Sequence, residues 1–337
     1  MRRPRLLSTG VLLLLVLSAC RPATDPSALL ASGRRHVEAS QRCEGVDRYE
    51  QAVDDLEQAL QADPGLVEAY YWLYLAYVGA GEEAQAEERL RQLDALASEG
   101  GGAEALFWLL KVHIERGDAA EQARLTEALE AMAASAPDDA DLLFWVGRAR
   151  RATGDLDGAL EALEEATQID PDHARAQFWL GQVHFEMGRL DPAWEAFDAA
   201  VRLDPDSAAA YHNRGVVAYQ MGHLEQAVAD LEAARERDPD DPETRYQLGA
   251  VYLVRALPPV PGAGLPDAEA LQKAEAEFEA ALDLCPGMPE ALIGMGNLHL
   301  VRGETEAAVE SLRSALERAP DAPEALYALV QAYAQEG

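Results

Sequence analysis

A strict 34-residue repeat constrains this chain more than any other feature. Gly147, Gly181, Gly215 and Gly249 follow one another at intervals of 34 residues, and the prolines of the series Pro137 to Pro239 keep the same interval. Within each unit the apolar residues recur every three or four positions in two separate blocks, which predicts two amphipathic helices. Because a unit of this length cannot bury its apolar face alone, the pattern predicts a stack of helix pairs.

One unit shows the pattern most clearly. Counting from Ala174 as position 1, it carries Gly181 at position 8, Ala193 at position 20 and Pro205 after its second helix. Its stretch AQFWLGQVHFEMGRLDPAWEAFDAAVRLDP closely resembles the consensus of the tetratricopeptide repeat (TPR) family. The resemblance implies an all-α fold, a right-handed α-solenoid superhelix of tandem helix-turn-helix repeats. It extends over residues 28–337 and predicts about eight units plus a solvating capping helix at the C-terminus.

A proline-rich insert interrupts the seventh unit at about residues 257–268. Its core, LPPVPGAGLP, lies between the two helices of that unit. Two interpretations remain open. The insert is either a docking loop of polyproline type or a tolerated expansion of a turn.

The first nineteen residues have the pattern of an export signal. Arginines at positions 2, 3 and 5 precede an apolar segment from Leu6 to Leu17. A helix of that length spans roughly 18 Å, well short of the ~30 Å hydrocarbon core of a bilayer. We therefore predict a signal peptide over residues 1–19 rather than a membrane-spanning helix.

The signal ends in a sequence that resembles the bacterial lipobox. Leu17, Ser18 and Ala19 are followed by Cys20, which implies cleavage before Cys20 and a diacylglycerol anchor, with palmitate, on its thiol. Residues 20–27 would then be a short tether. By the same resemblance, Arg21 after the lipidated cysteine favours the outer membrane, on its periplasmic face, in a Gram-negative bacterium. In a bacterium with one membrane the signal implies the outer face of the plasma membrane.

Charge and motifs exclude several classes of function. The formal net charge is −32, and a field of that sign repels phosphate backbones, so we expect no nucleic-acid partner. The sequence contains neither a phosphate-binding glycine loop nor an H-E-x-x-H or G-x-S-x-G motif. We therefore predict no enzyme activity, no catalytic residues and no cofactor.

Histidines and cysteines invite two further interpretations. His113, His184 and His299 all occupy position 11, but they belong to different units, so we expect them to pack rather than to bind a metal. Cys43 and Cys285 fall in the first and seventh units. A solenoid should hold them tens of ångströms apart, whereas a disulfide needs Cα atoms within about 7 Å. We therefore expect no intramolecular bridge.

The resemblance to the family also implies that the first helices line a concave groove. Position 5 is aromatic in most units, position 12 is apolar or aromatic in most, and several of the scarce basic residues fall on the same stripe. The rings could bind a partner or pack between units, and the arginines could bind a ligand or form salt bridges. The candidate peptide-binding residues are Phe107, Lys111, Phe144, Arg148, Arg151, Arg175, Phe178, Phe185, His212, Tyr219 and Tyr246.

These features together predict a membrane-tethered scaffold. It would bind other envelope proteins or their peptides and so assemble complexes in the bacterial cell envelope. The layout is similar to that of TPR lipoproteins that pilot type IV pilus secretins and of those that bring peptidoglycan enzymes together. The alternative is an accessory module that recruits or presents substrate to a separately encoded envelope enzyme, such as a peptidoglycan hydrolase or a glycosyltransferase.

Overall fold

The structure, a computed structural model, describes residues 25–43, 45–100, 102–258 and 264–336. Within these ranges it consists of helices without a β-strand, in eight helix pairs followed by one last helix. The predicted all-α class, the number of units and the additional helix are therefore confirmed. No helix in these ranges is both long and apolar enough to cross a membrane. The predicted signal peptide and Cys20 lie outside the described residues.

First and second helices of successive units alternate along the chain. The helices are α1 (Pro26–Arg42), α2 (Tyr49–Ala62), α3 (Val67–Gly79), α4 (Glu83–Ser98), α5 (Gly102–Glu115), α6 (Ala119–Ser135), α7 (Ala140–Ala152), α8 (Leu156–Ile169), α9 (Ala174–Glu186), α10 (Leu190–Leu203), α11 (Ala208–Gln220), α12 (Leu224–Arg237), α13 (Pro242–Ala256), α14 (Ala268–Leu284), α15 (Pro289–Arg302), α16 (Thr305–Arg318) and α17 (Pro323–Glu336).

Short polar side chains and glycines set the limits of these helices. Asp155 accepts a hydrogen bond from the first turn of α8, which satisfies a donor that has no helical partner. After α9 the chain turns at Gly188, whose φ of 72° is sterically easy only for glycine. The first helix begins at Pro26, two residues before the predicted start of the solenoid. There Asp25 accepts a hydrogen bond from the Ser27 amide at 3.0 Å and proline suits the first turn.

Glycine at position 8 lets the two helices of a unit approach each other. A Cβ atom on Gly181 would lie 2.8 Å from ring carbons of Phe197, and one on Gly147 would lie 2.6 Å from Leu163. Both facing side chains are fully buried, so neither has space to withdraw. The repeated glycine is therefore a steric requirement of the helix pair.

The proline-rich insert lies between α13 and α14. Its described base is closed by a hydrogen bond from the Asp267 amide to the Ala256 carbonyl oxygen at 2.8 Å. The Asp267 side chain also caps the first turn of α14. The two ends of the loop are thus held together, and the helix pair packs as it does in units without an insert. Residues 259–263 lie outside the described residues.

The curvature of the array returns the first unit to the seventh. Cys43 and Cys285 form a disulfide with their Cα atoms 4.9 Å apart, so the expectation that no intramolecular bridge forms is wrong. Met288 is buried beside the bridge, and Arg35 approaches Asp238 to 3.6 Å. The cause is the rotation between successive units. Each interface adds a small rotation, and over about seven units these rotations add up to a full turn. We call this contact the seam.

The last helix covers the end of the core with alanines but leaves its other face apolar. Ala325, Ala328 and Ala332 are buried. The exposed side chains are Leu326, Tyr327, Val330 and Tyr333. Three of them occupy positions 4, 8 and 11, which the second helix covers in the other units. These side chains are exposed because α17 has no second helix over it in the described part of the chain.

Candidate peptide-binding groove

The first helices of the units lie on the inner side of the superhelix. Neighbouring first helices, such as α3 and α5, contact each other, whereas no second helix contacts the next second helix among the described residues. Elements on the inside of a curve are closer together than those outside, so the first helices form the concave surface. All predicted binding residues lie on first helices and therefore share this surface, which we call the groove.

In units two to four the aromatic side chains at position 5 are buried. Tyr71, Phe107 and Phe144 are only 3%, 3% and 0% exposed. Each of the first two packs on a tryptophan of the next unit, with ring centroids 5.0 Å apart for Tyr71 and Trp108 and 5.3 Å apart for Phe107 and Trp145. Of the two interpretations that the sequence leaves open, packing between neighbouring units is the one that the structure shows for these three rings.

From the fifth unit onward the aromatic rings of the groove are only half-buried. They belong to Phe178 and Phe185 of α9, Tyr219 of α11 and Tyr246 of α13. Phe178 packs against Trp179 and Phe197 on one side, with ring centroids 5.6 and 5.7 Å away. Among the predicted binding residues that the structure describes, the accessible aromatic rings thus belong to units five to seven.

Arg148 lies where the buried and the accessible parts of the groove meet. Its Cζ atom is 4.0 Å from the ring centroid of Phe107 and 4.5 Å from that of Trp179. It is also within 6 Å of three further rings, those of Trp108, Phe144 and Trp145. Ring faces attract a cation through their quadrupole, so the five rings hold the guanidinium group in place.

Within the described residues, Arg148 forms no hydrogen bond and no ion pair. Its Nε atom is fully buried and has no partner. Burial lowers the pKa of the Arg148 guanidinium to about 9, with Glu68 as the largest opposing influence. The group therefore still carries its positive charge at neutral pH.

The other three basic candidates have acidic partners. Arg175 donates to Asp141 at 3.2 Å, and Lys111 lies 3.8 Å from Glu115. The third, Arg151, forms an ion pair with Glu186. For these three residues the salt-bridge interpretation agrees with the structure. Arg148 differs because no acidic side chain contacts it.

The far half of the groove is neutral or acidic. His212 shares a 2.8 Å hydrogen bond with Thr244, which is almost fully buried, and burial lowers the pKa of this histidine. Burial raises the pKa of Tyr246 to about 12 and also raises the pKa of the Glu243 carboxyl. The basic candidates therefore all lie in units three to five, and the candidates beyond them are a neutral histidine and tyrosines.

The position-11 histidines lie against the turns that connect the helices of their units. His113 is 3.5 Å from Asp118, and His299 is 2.6 Å from Glu304, in both cases five residues further along the chain. His184 is almost fully buried. In the described ranges no group of three or more His, Cys, Asp or Glu side chains is arranged to hold a metal ion.

Family comparisons match this arrangement along the chain. One model described as a tetratricopeptide repeat matches residues 45–98, 150–213 and 267–332, which is more than half of the chain. A second, described as a TPR repeat, matches 217–253, and a third tetratricopeptide repeat model matches 123–173. The chain belongs to the tetratricopeptide repeat family. TPR proteins are typically non-enzymatic scaffolds for protein–protein interaction, so proteins or peptides are the partners that the fold implies.

Solved structures give similar folds for this TPR array. The Cut9–Hcn1 hetero-tetramer of APC/C is 15% identical, covers 94% of this chain and 57% of that chain, and has a TM-score of 0.60. PilW, described as a widely conserved type IV pilus biogenesis factor, is 19% identical, with coverages of 67% and 98% and a TM-score of 0.54. YrrB, described as a TPR protein with an unusual peptide-binding site, is 23% identical, with coverages of 60% and 98% and a TM-score of 0.49. No curated protein matches the sequence.

Sequence reasoning missed the tryptophans next to position 5. In units two to five the residue at position 6 is Trp72, Trp108, Trp145 or Trp179. The repeated aromatic–Trp pair is visible in the sequence, and its spacing could have indicated that the position-5 rings are covered. The isolation of Arg148 carries no such signal, because it depends on where the acids of neighbouring helices point.

Proposed function

We propose that this TPR protein is a lipid-anchored scaffold of the bacterial cell envelope that holds envelope partners through a peptide segment in its groove. The observation that carries the proposal is the accessible aromatic surface of units five to seven, formed by Phe178, Phe185, Tyr219 and Tyr246. Covering half-buried aromatic rings on a concave surface removes apolar area from water, which favours binding of a partner. Aromatic side chains of this kind contribute most of the binding energy in many interfaces.

An oxidising location is supported by the seam. The Cys43–Cys285 disulfide persists in exported proteins but is rare where glutathione and thioredoxin keep thiols reduced. This agrees with the predicted export signal over residues 1–19 and with lipidation of Cys20. With Arg21 in the following position, the proposed location in a two-membrane bacterium is the periplasmic face of the outer membrane.

Chemical crosslinking in intact cells followed by pull-down from the membrane fraction tests the scaffold. We expect a specific envelope partner, whose capture falls at least tenfold in the Phe178→Ala/Tyr219→Ala variant. The control is Ile169→Ala, which truncates an exposed apolar side chain on the second helix α8. Capture that survives in the double variant would contradict the groove as the binding site. Pilus or pore subunits among the captured proteins would indicate a structural assembly, whereas a hydrolase or glycosyltransferase would indicate the accessory role.

The anchor has its own test. Replacing Cys20 with Ser removes the thiol that would carry the lipid, so we expect the protein to become soluble or to remain unprocessed. Fractionation of cells with the parent protein as a control measures this. A processed Cys20→Ser protein that still sediments with membranes would refute the lipid anchor.

A further inference from the structure

The last helix, α17, is apolar on two opposite faces. One face is the row of buried alanines that covers the end of the core. The other consists of Leu326, Tyr327, Val330, Tyr333 and Ala334, which are exposed and are spaced as i, i+1, i+4, i+7 and i+8, so they form one stripe. We call this stripe the terminal face. Because a helix that is apolar all round is normally buried, the terminal face suits contact with a partner.

The terminal face concentrates apolar surface that is scattered elsewhere. The side chains of Leu326, Tyr327, Val330 and Tyr333 are 46%, 68%, 66% and 43% exposed. The other exposed large apolar side chains among the described residues lie singly on three different helices and in the insert: Val78, Ile169, Val254, Leu257 and Leu265. A concentrated apolar patch marks an interaction site, whereas single apolar side chains do not.

The terminal face carries no charge, although the formal net charge of the chain is −32. From Ala325 to Gln335 the sequence contains no acidic or basic residue. Helices that lie on a bilayer usually carry Lys or Arg on their polar face, and α17 contains neither. A charged peptide would find no ion-pair partner on this stripe. The occupant that fits is therefore the uncharged apolar face of another protein helix.

The terminal face is complementary to a second copy of itself. In two α17 helices that lie antiparallel about a two-fold axis at Val330, residues before the axis in one copy lie level with residues after it in the other. Leu326 then lies beside Tyr333 of the second copy, and Tyr327 lies beside its Ala334. Large side chains thus meet smaller ones along the stripe. Among the described helices of this chain, α17 alone offers such a face.

We propose that the terminal face binds the terminal face of a second copy, so that two arrays join through an antiparallel pair of α17 helices. The inference goes beyond the proposed scaffold function and does not rest on it. The second copy takes the place of the second helix that covers positions 4, 8 and 11 in the other units. Arg313 donates a hydrogen bond to the Tyr333 hydroxyl at 2.8 Å, which fixes this ring before association. Because both copies use the same patch, the contact closes at the dimer.

The area of the contact sets its strength. A helix of 14 residues is about 21 Å long and about 10 Å wide, so two paired faces bury on the order of 800–1,000 Å² in total. This is the low end for specific interfaces, so the dimer should be reversible, with a dissociation constant in the micromolar range. Each copy has a net charge of −32, so repulsion between the copies weakens the dimer and added salt should strengthen it.

Sedimentation velocity measures the association over a concentration series. The protein is the whole chain with Cys20→Ser, which removes the proposed lipid, and it is called the parent in this experiment. We expect a monomer–dimer equilibrium. Val330→Glu places a carboxylate of each copy at the two-fold axis and should raise the dissociation constant at least about tenfold. The control is Gln335→Glu, which adds the same charge to α17 outside the terminal face and should have little effect.

The fold of the variants is checked by circular dichroism. Val330 is exposed in the single chain, so Val330→Glu should keep the helical signal. If it does not fold, Leu326→Ser decides in its place, because this change removes an exposed apolar side chain from the same stripe and should weaken the dimer severalfold.

A parent that stays monomeric at every concentration would overturn the proposal. So would a dimer that Val330→Glu leaves intact, or one that added salt weakens. If a monomeric parent instead captures a different protein, and Val330→Glu abolishes that capture, the terminal face binds another partner and the second copy is ruled out.

Discussion

At the scale of the residue, the fold contains partly buried charges whose desolvation is costly, and their partners differ. Arg214 is paired with Asp198 at 2.7 Å and with Asp230 at 2.6 Å, so its charge is matched inside the fold. Arg148 has rings around it and no acid in contact. A buried charge that the fold itself does not match lowers stability, and such a residue is expected at a site that a ligand completes.

Replacing Arg148 should therefore not destabilise the protein. Arg148→Met keeps the apolar stem and removes the desolvated charge, so we expect the free energy of unfolding to stay equal or to rise by about 1 kcal/mol or more. The contrasting variant is Arg214→Met, which leaves Asp230 buried without a partner and should cost about 3–5 kcal/mol. Urea denaturation followed by circular dichroism measures both. A loss above about 1 kcal/mol in Arg148→Met would mean that the rings hold this arginine for packing.

His212 predicts a pH dependence of stability. Burial lowers the pKa of His212 in the folded protein below its ordinary value of about 6.5. The unfolded chain therefore binds a proton at a higher pH than the folded one, and stability is lost as the pH falls from about 6.5 toward the folded pKa. The slope from this residue is at most about 1.4 kcal/mol per pH unit.

His212→Gln should flatten the decline in the free energy of unfolding between about pH 6.5 and pH 5, relative to the parent protein. Urea denaturation at a series of pH values measures the difference. The control is His223→Gln, because His223 is exposed and its replacement should leave the profile unchanged. An unaltered profile in His212→Gln would contradict the assignment of this histidine as buried and neutral.

At the scale of the element, each unit depends on the close approach of its two helices. Gly181 on α9 faces Phe197 on α10, and the same relation recurs between Gly147 and Leu163 and between Gly215 and Leu231. The small residue belongs to one helix and the large one to the other, so their volumes are complementary. A change in the volume of either side chain disturbs the packing of the whole helix pair, because the interior has no spare space.

Gly181→Ala should destabilise the fifth unit although alanine favours helix more than glycine does. The new Cβ would lie 2.8 Å from the ring of Phe197, and overpacking of this kind costs about 1–3 kcal/mol. Urea denaturation of the single variants and of Gly181→Ala/Phe197→Leu measures the coupling. The double variant should lose less than the sum of the singles, whereas additive losses would show that the two residues do not compete for space.

At the scale of the whole molecule, the seam brings the first unit into contact with the seventh. In repeat arrays each unit usually contacts only its neighbours. The bridge joins residues 242 positions apart. Apart from the seam, the first unit is attached to the array through the contacts of α1 and α2 with α3. The disulfide therefore limits how far the superhelix can extend and how wide the groove can open.

Opening the seam should expand the protein and lower its stability. We expect the Cys43→Ser/Cys285→Ser variant to show a larger radius of gyration in small-angle X-ray scattering than the oxidised parent. A crosslink over so long a loop contributes up to about 5 kcal/mol. Treating the parent with dithiothreitol should reproduce the expansion, and the same treatment should leave the variant unchanged. Identical scattering of the oxidised parent and the variant would mean that the apolar contacts of the seam hold it closed without the bridge.

The helix pairs and the family follow from the sequence by itself. The contacts within a TPR unit join residues fewer than 34 positions apart. The residues that these contacts require, namely the spaced apolar side chains, the glycine at position 8 and the terminal proline, therefore recur from unit to unit in the sequence. Helix ends are equally local, as Asp155 and Gly188 show. The stripe that includes Phe178, Tyr219 and Tyr246 could be placed on first helices for the same reason.

Only the tertiary structure decided which groove residues are covered and which charge stays unmatched, and only it revealed the seam. The burial of Phe107 depends on Trp145 of the next unit, and Phe144 packs against His173 before α9. The isolation of Arg148 depends on the directions of acids on neighbouring helices. The approach of Cys43 to Cys285 is a sum of small rotations over seven units. No single residue carries that sum, so it appears only when the whole array is assembled.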